Sequence, residues 1–191
     1  EWTRARDAEL RLPEGWLSLV ALVWLEPGET ILGASGTPAP DRIVLQNAVV
    51  AEAGRFTLDH ANEVRFTPAK DGRCSLDDVP IQAGESVALS DDQAGAASVL
   101  RVGNLQITHI HRQERAALRI RDRGAKTLQD FVGVERHSFD PTRRVDATFE
   151  PAKDGTTVDV TLVTEFVEPH QVAGTLRFEL DGVEHSLLAH P

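Results

Sequence analysis

The sequence contains very little of what several kinds of functional site are built from. Only one of its 191 residues, Cys74, is a cysteine, so the chain can form neither an intrachain disulfide nor a zinc site made of cysteines. No stretch approaches the roughly 18 uninterrupted apolar residues of a membrane-spanning helix. The Gly-x-Ser-x-Gly turn of many hydrolases and the glycine-rich phosphate loop followed by lysine are also missing. Disulfide scaffolds, helical membrane spans and two large enzyme classes are therefore not expected.

Methionine is absent as well, and the sequence begins at Glu1. We therefore expect that the natural start has been processed or is not represented, which leaves a signal peptide open as an alternative. The expected location is the cytoplasm, with export as the other choice.

Acidic side chains outnumber basic ones. Thirty aspartates and glutamates against 20 lysines and arginines give a formal charge of −10, which repels nucleic-acid phosphates and anionic lipid alike. Apolar residues make up 41% and charged residues 26% of the chain, as in ordinary globular proteins. We expect a folded, soluble protein that binds neither nucleic acid nor membranes.

Short runs rich in β-branched and aromatic residues follow one another from Gly28 onward. Turn residues separate them and no helical interval intervenes, which leaves no room for parallel crossover connections. We therefore predict an all-β fold, a β-sandwich or partly closed barrel, with a short N-terminal helix. The runs span 29–33, 41–45, 53–58, 63–69, 73–81, 85–90, 98–111, 116–122, 145–152, 156–168, 173–180 and 183–189.

The N-terminal segment has a different pattern. Apolar side chains at spacings of three and four predict a short amphipathic helix within Glu1–Leu12, ended by Pro13–Gly15. The next segment, Trp16–Leu25, is almost continuously apolar and fits either a buried strand or a short buried helix. The three tryptophans and seven phenylalanines of the chain are expected to lie in the core.

Turns and an exposed edge are predicted near the C-terminus. Lys153–Gly155 is a good hairpin turn before an alternating strand from Thr157 to Val163, and Asp181–Gly182 is a second one. The strand from Val183 to Leu188 is expected at a sheet edge, where unpaired backbone groups can pair with a second copy of the chain. A homodimer is therefore one expected partnership.

One predicted strand carries an unusual number of charges. Guanidinium groups on one strand face can bind a carboxylate or phosphate through paired hydrogen bonds. The alternative is a ladder of surface ion pairs, because Glu114 and Asp122 supply partners within the cluster. The predicted ligand-binding residues are Arg112, Arg119, Arg121 and Asp122.

His109 and His111 are the strongest metal candidates, since residues two apart on a strand share a face. A metal still needs a third ligand, and Leu105 and Ile107 lie on the same face. The alternative is a half-buried strand whose histidines lie at its wetter end. We expect no cofactor.

Nucleophilic catalysis finds little support. Cys74 is followed closely by Asp77 and Asp78, which would raise the pKa of its thiol if they lay close to it. The carboxylate pairs Asp77–Asp78 and Asp91–Asp92 alternate faces when extended, so each is expected to lie in a turn.

Short motifs along nearly the whole chain resemble a bacterial and archaeal domain-of-unknown-function family, numbered sixteen eighty-four. That family has no assigned activity, so the resemblance implies no established function. His109 and His111 match none of its motif positions. The residues that carry the resemblance are Gly15–Leu17, Trp24, Leu25, Gly28, Gly33, Arg112, Leu118, Arg119, Asp122, Phe131, Gly133, Ala147–Phe149, Gly174–Phe178, Gly182 and Leu187.

Members of that family continue past the position of Pro191 into a segment that holds an Asp-Phe-Asn and an Asn-Pro-Pro-Cys motif. The resemblance implies that, if the family builds a polar site from that segment, Arg112, Arg119 and Asp122 are the half of it present here.

The region from Gly28 to Ile110 is also distantly similar to a forkhead-associated β-sandwich. Gly33 is followed by Ala34 where that family has an arginine, and its Ser-x-x-His motif is missing, so phosphothreonine binding is not expected. We predict a single β-rich domain over residues 1–191. A subdivision into a forkhead-associated-like sandwich (1–122) and an antiparallel β extension (123–191) is the alternative.

Two functions fit the sequence. The first is a binding module that takes a small anionic ligand or a protein partner through the strand from Arg112 to Asp122. The second is a hydrolase completed by a C-terminal segment that this chain lacks, with Arg119 or Arg121 stabilising developing negative charge and Asp122 or a histidine as acid or base. A purely structural domain is a third reading.

Overall fold

The computed structural model describes the chain except for positions 1, 49, 94, 139 and 163–165. The described residues form sixteen strands and two short α-helices, one of them N-terminal, which confirms the predicted all-β class. These strands form open sheets and no closed barrel. The chain divides into two compact units, Glu1–Val134 and Glu135–Pro191.

The N-terminal unit contains eleven of the described strands and both helices. Its elements are α1 (Trp2–Leu10), β1 (Leu19–Trp24), β2 (Gly28–Gly33), β3 (Arg42–Val44), β4 (Gly54–Leu58), β5 (Val64–Pro68), β6 (Cys74–Leu76), β7 (Val79–Ile81), β8 (Val87–Leu89), β9 (Val99–Val102), β10 (Leu105–Arg112), β11 (Arg115–Asp122) and α2 (Lys126–Gln129).

Two sheets make up this unit. The first has six antiparallel strands in the order β1-β11-β10-β9-β6-β7. The second has five strands in the order β3-β2-β4-β5-β8, of which β2 and β3 run parallel. In the first sheet, β1 and β7 are the edge strands.

The hydrophobic core joins residues of both sheets. Phe56 and Phe66 of the second sheet lie with their ring centroids 4.9 Å apart. They belong to one fully buried cluster with Ile107 and Leu118 of the first sheet. Each buried side chain of this kind contributes about 1.5–3 kcal/mol. A β-sandwich is therefore the architecture of the N-terminal unit.

The N-terminal segment departs from the prediction in how much it buries. Helix α1 forms, but it has no buried residue. Trp2 is 72% exposed and Trp16 74% exposed, so the expectation that the tryptophans lie in the core is wrong for both. Trp24 is half-buried and packs under the guanidinium of Arg115, 4.6 Å from its ring centroid.

The apolar run from Trp16 to Leu25 forms one turn of 3-10 helix at Trp16–Ser18 and then β1. Because β1 is an edge strand, alternate side chains along it remain accessible: Val20 is 39% and Leu22 37% exposed. The prediction of a buried strand or helix is therefore wrong for one half of this segment.

Residues after β11 fold back onto the N-terminal segment. Arg123 forms an ion pair with Glu14 at 2.9 Å, and the Thr127 hydroxyl donates a hydrogen bond to the Leu17 carbonyl at 2.6 Å. The first unit consequently extends to Val134, whereas the subdivision proposed from the sequence lies after Asp122.

The C-terminal unit consists of two small antiparallel sheets. A three-stranded sheet has the order β12-β15-β16, and a two-stranded sheet joins β13 and β14. Gly174 is the one buried residue among those that the structure describes here. The strands are β12 (Ala147–Pro151), β13 (Thr157–Thr161), β14 (Val167–Gln171), β15 (Gly174–Leu180) and β16 (Val183–Ala189).

Of the two predicted hairpin turns, one joins paired strands. Asp181 and Gly182, with φ of 52° and 77°, connect β15 to β16. The turn at Lys153–Gly155 also forms, but β12 and β13 on either side of it belong to different sheets. Val163, the end of the alternating strand predicted there, lies outside the described residues.

Neither of the two α-helices in the described part of the chain has the length and apolar character of a membrane-spanning segment.

Candidate anion-binding site

The alternation of β11 separates the predicted site residues onto two faces. Its even-numbered residues Leu118, Ile120 and Asp122 are buried on the side of the core, whereas Arg119 and Arg121 lie on the opposite, half-buried side. We call the side that bears these arginines the outer face of the six-stranded sheet, and we call Arg119 and Arg121 the basic pair.

Strand register determines the neighbours of the basic pair. Arg119 is paired with Leu22 of β1 on one side and Thr108 of β10 on the other. Arg121 is paired with Gln106 of β10. Side chains of directly opposed residues share a face, with Cβ atoms about 4.5–5.5 Å apart. The two guanidiniums therefore stem from positions about 7 Å apart on one strand.

Neither member of the basic pair forms a salt bridge with a carboxylate in the described part of the chain. Arg121 Nε is buried and has no hydrogen-bond partner there. Burial and the neighbouring Arg119 charge lower the pKa of Arg121, against a smaller opposing effect of Glu14. Glu14 itself is engaged by Arg123 at 2.9 Å. The basic pair thus carries positive charge that Glu14 offsets only in part.

Arg101 and Gln106 extend the polar row across the sheet. Gln106 is paired with Arg121 on one side and with Arg101 of β9 on the other. Gln106 Oε1 and Arg101 Nη1 are buried and, among the described residues, have no hydrogen-bond partner. Arg101 Nε donates to Asp78 Oδ1 at 2.9 Å. The sequence interpretation missed both residues, although strand alternation around the turn at Gly103–Asn104 could have found them.

Arg112, also a predicted ligand-binding residue, has an internal partner. Its two terminal nitrogens donate to both carboxylate oxygens of Asp92, at 3.0 and 2.8 Å. Burial opposes ionisation of Asp92, but the hydrogen bonds from Arg112 and from the His111 backbone N–H outweigh it and lower the pKa of that carboxyl. This two-pronged ion pair holds the loop after β8 against β10.

Asp122, the fourth predicted residue, is buried at the end of β11, with 6% of its surface exposed. It accepts hydrogen bonds from the Asn47 side-chain amide and from the Gly124 backbone N–H, the latter at 2.7 Å. Its position fits a residue that shapes the turn after β11. The structure therefore brings together Arg119 and Arg121 of the predicted set and places Arg112 and Asp122 in separate interactions.

The predicted metal pair, His109 and His111, lies on the core side of β10. His109 Nδ1 is 3.2 Å from the Leu89 carbonyl oxygen, while His109 Nε2 and both ring nitrogens of His111 have no described partner. Burial lowers the pKa of His109. No group of three or more histidine, cysteine or acidic side chains suited to a metal occurs among the described residues.

Cys74 is a buried residue, and the pair Asp77–Asp78 forms a turn. Burial raises the pKa of the Cys74 thiol to about 11, which makes it a poor nucleophile near neutral pH. Asp77 and Asp78 form the turn between β6 and β7, with φ of 49° and 67°. The predicted placement of this pair in a turn is confirmed.

Comparisons with known proteins supply no relative for this chain. No protein-family model matches it, and no curated protein matches its sequence significantly. The resemblances to family sixteen eighty-four and to forkhead-associated domains therefore stay predictions made from the sequence.

Proposed function

We propose that this protein is a binding module for a small anionic ligand, and that Arg119 and Arg121 hold the ligand. The observation that carries the proposal is the basic pair on the outer face, which forms no salt bridge with a described carboxylate, with Arg121 Nε buried and without a described partner. Both arginines lie on the strand that was predicted from the sequence to bind the ligand, and they are two of the four residues predicted there.

Electrostatics favours an anion at this position. Two cations held on neighbouring same-face positions repel each other, and burial makes that repulsion harder to screen with salt. A carboxylate or phosphate between them would relieve the repulsion and accept two or more charge-assisted hydrogen bonds. Arginine is well suited to this role because its planar fork matches the oxygens of both groups.

The row across the sheet supplies further contacts. Gln106 is the register partner of Arg121, and Arg101 is the register partner of Gln106 on the next strand; both carry a buried atom without a described partner. Arg101 also bonds the exposed Asp78, so its own charge is partly balanced. We assign these two residues a supporting part in orienting the ligand.

The geometry favours binding over hydrolysis. Asp122, which with a histidine was one of the two acid or base candidates of the hydrolase hypothesis, faces the core and is hydrogen-bonded to Asn47 and Gly124. Cys74 is buried with a raised pKa. Neither residue stands beside the basic pair in a position to exchange protons with a ligand held there.

The test is a thermal-shift comparison with phosphate, sulfate and acetate at constant ionic strength. We expect a saturable rise in the melting temperature of the native chain that is lost in Arg119→Gln and in Arg121→Gln. A ligand at about 100 times its Kd adds about 2.7 kcal/mol of stability. Because 1 kcal/mol shifts the melting temperature of a chain of this size by roughly 2–4 °C, the expected rise is roughly 5–11 °C.

Arg55→Gln is the matched control, because Arg55 is an exposed arginine on the other sheet with its own partners, Glu29 and Glu52. It should keep the full response. If no anion raises the melting temperature, or if both basic-pair variants respond like the native chain, the proposal is wrong.

A further inference from the structure

The basic pair has an apolar neighbour on the same face. Leu22 of β1 is the direct register partner of Arg119 and is 37% exposed. Trp24, two residues further along β1, is half-buried on the same face. We call Leu22 and Trp24 the apolar strip.

The apolar strip lies beside buried apolar residues of the same face. Trp24 is paired with Ala117, and Ala117 is paired with Ile110. Ala117 and Ile110 are both buried, so Trp24 has buried apolar residues as its neighbours on the sheet. The guanidinium of Arg115 lies over the Trp24 ring and bounds the strip at the end away from the basic pair. The exposed member of the strip, Leu22, is therefore the one beside Arg119.

We infer that the ligand carries its anionic group on an apolar body, so that the anion lies on the basic pair and the body lies along the apolar strip. This inference rests on the proposed function and narrows its ligand class. The observation that carries it is the basic pair, which forms no salt bridge in the described part of the chain, next to a leucine that is 37% exposed and a half-buried tryptophan. A purely inorganic anion would leave the strip in contact with water.

Carboxylate and phosphate head groups share the chemistry that the basic pair recognises. The apolar body distinguishes this class from inorganic phosphate, sulfate and acetate. Two series of probes therefore separate the head group from the body: straight-chain carboxylates from acetate to octanoate, and alkyl phosphates of the same lengths.

Calorimetric titration of each series tests the inference. Each methylene that leaves water can raise the association constant by up to about fourfold, so we expect affinity to grow steadily with chain length in the native protein. Leu22→Ser should flatten that growth and leave acetate or phosphate binding unchanged. Arg119→Gln should abolish binding of every member.

Val79→Ser is the matched control, since Val79 is an exposed valine, 67% accessible, on β7 at the opposite edge of the same sheet. It should bind like the native chain. As a second readout that needs no variant, octanoate should shift the NMR signal of the Trp24 indole N–H while acetate should not.

The outcomes are distinguishable. If short anions bind through Arg119 and Arg121 but affinity does not grow with chain length, the inference is overturned and the proposed function stands. If affinity grows equally in the native chain and in Leu22→Ser, and Trp24 does not respond, the body lies elsewhere and the inference is overturned. If no probe binds, both proposals fail.

Discussion

His109 lies inside the N-terminal unit with 3% of its surface exposed. Its Nδ1 meets the Leu89 carbonyl oxygen at 3.2 Å, which requires a proton on Nδ1, and Nε2 has no described partner. Burial lowers the pKa of this imidazole; the hydrogen bond with Leu89 and the charges of Asp91 and Asp92 oppose that effect, and His111 adds to it. The neutral ring is therefore the form that the fold accommodates.

This burial predicts a loss of stability in mild acid. The unfolded chain protonates a histidine near pH 6.5, whereas folded His109 binds its proton only at lower pH. The stability that the neutral His109 ring contributes is fully present above about pH 6.5. It declines as the pH falls from there to the folded-state pKa, by up to about 1.4 kcal/mol per pH unit. Urea unfolding at a series of pH values should show this slope.

The slope should be smaller in His109→Gln and unchanged in His60→Gln, which alters an exposed histidine of the same unit. Equal slopes in the native chain and in His109→Gln would show that burial of this ring does not set the acid sensitivity.

Single residues also mark where sequence reasoning succeeds and where it stops. Alternation along a strand is local, so counting residues could have separated Asp122 from Arg121, although both were predicted to bind the ligand. The pairing of Arg112 with Asp92 joins residues about twenty positions apart and depends on the tertiary structure. The sequence could propose a basic cluster, but it could not tell which arginines have internal partners.

At the scale of elements, the β10–β11 hairpin connects the candidate site to the loop after β8. Gln113 and Glu114 form its two-residue turn with φ of 44° and 66°, although neither is a glycine. Asp92 binds the Arg112 side chain and the His111 backbone N–H next to this turn. The loop is thereby fixed to the end of the hairpin, away from the basic pair.

Asp92→Asn and Arg112→Gln should each lower the free energy of unfolding by about 1–3 kcal/mol, because each removes charge-assisted hydrogen bonds from a half-buried pair. The double variant should lose less than the sum of the two. Anion binding at Arg119 and Arg121 should persist in all three. Chemical denaturation and the anion thermal shift measure both quantities.

Arg55→Gln, which alters an exposed ion pair, is again the control and should lower the free energy of unfolding by less than about 1 kcal/mol. Loss of anion binding in Arg112→Gln, at a temperature where that variant is folded, would show that Arg112 contacts the ligand. It would contradict the assignment of the ligand contacts to Arg119 and Arg121.

The residues that form strands were largely predictable from the sequence, whereas the order of the strands within their sheets was not. The alternating and β-rich runs marked the strands of both units, and Asp181–Gly182 marked its hairpin. That β1 lies at an edge, and so leaves Leu22 accessible, follows from sheet order, which local sequence does not encode. The same holds for β12 and β13, whose intervening turn joins two sheets.

At the scale of the whole molecule, the two units differ in how much they bury. The N-terminal unit has a core with residues from two sheets, while Gly174 is the one buried residue among those described in the C-terminal unit. Small sheets with little buried apolar surface are marginally stable by themselves. Stability is therefore expected to be concentrated in the sandwich.

Amide hydrogen exchange should show this contrast. Amides of β10 and β11 are expected to exchange slowest, at rates governed by global unfolding, and those of β13 and β14 to exchange orders of magnitude faster. A fragment covering residues 1–134 should retain the slow amides of the sandwich. Equal protection across both units would contradict a stability that resides in the N-terminal core.

Anion binding by the basic pair can be followed in the NMR signals of the arginine Nε–H groups. Titration with inorganic phosphate at constant ionic strength should shift the signals of Arg119 and Arg121 along one saturable curve, while the Arg112 signal, held by Asp92, stays in place. If the Arg119 and Arg121 signals do not move, or move no more than that of Arg112, the outer face is not an anion site and the account is wrong.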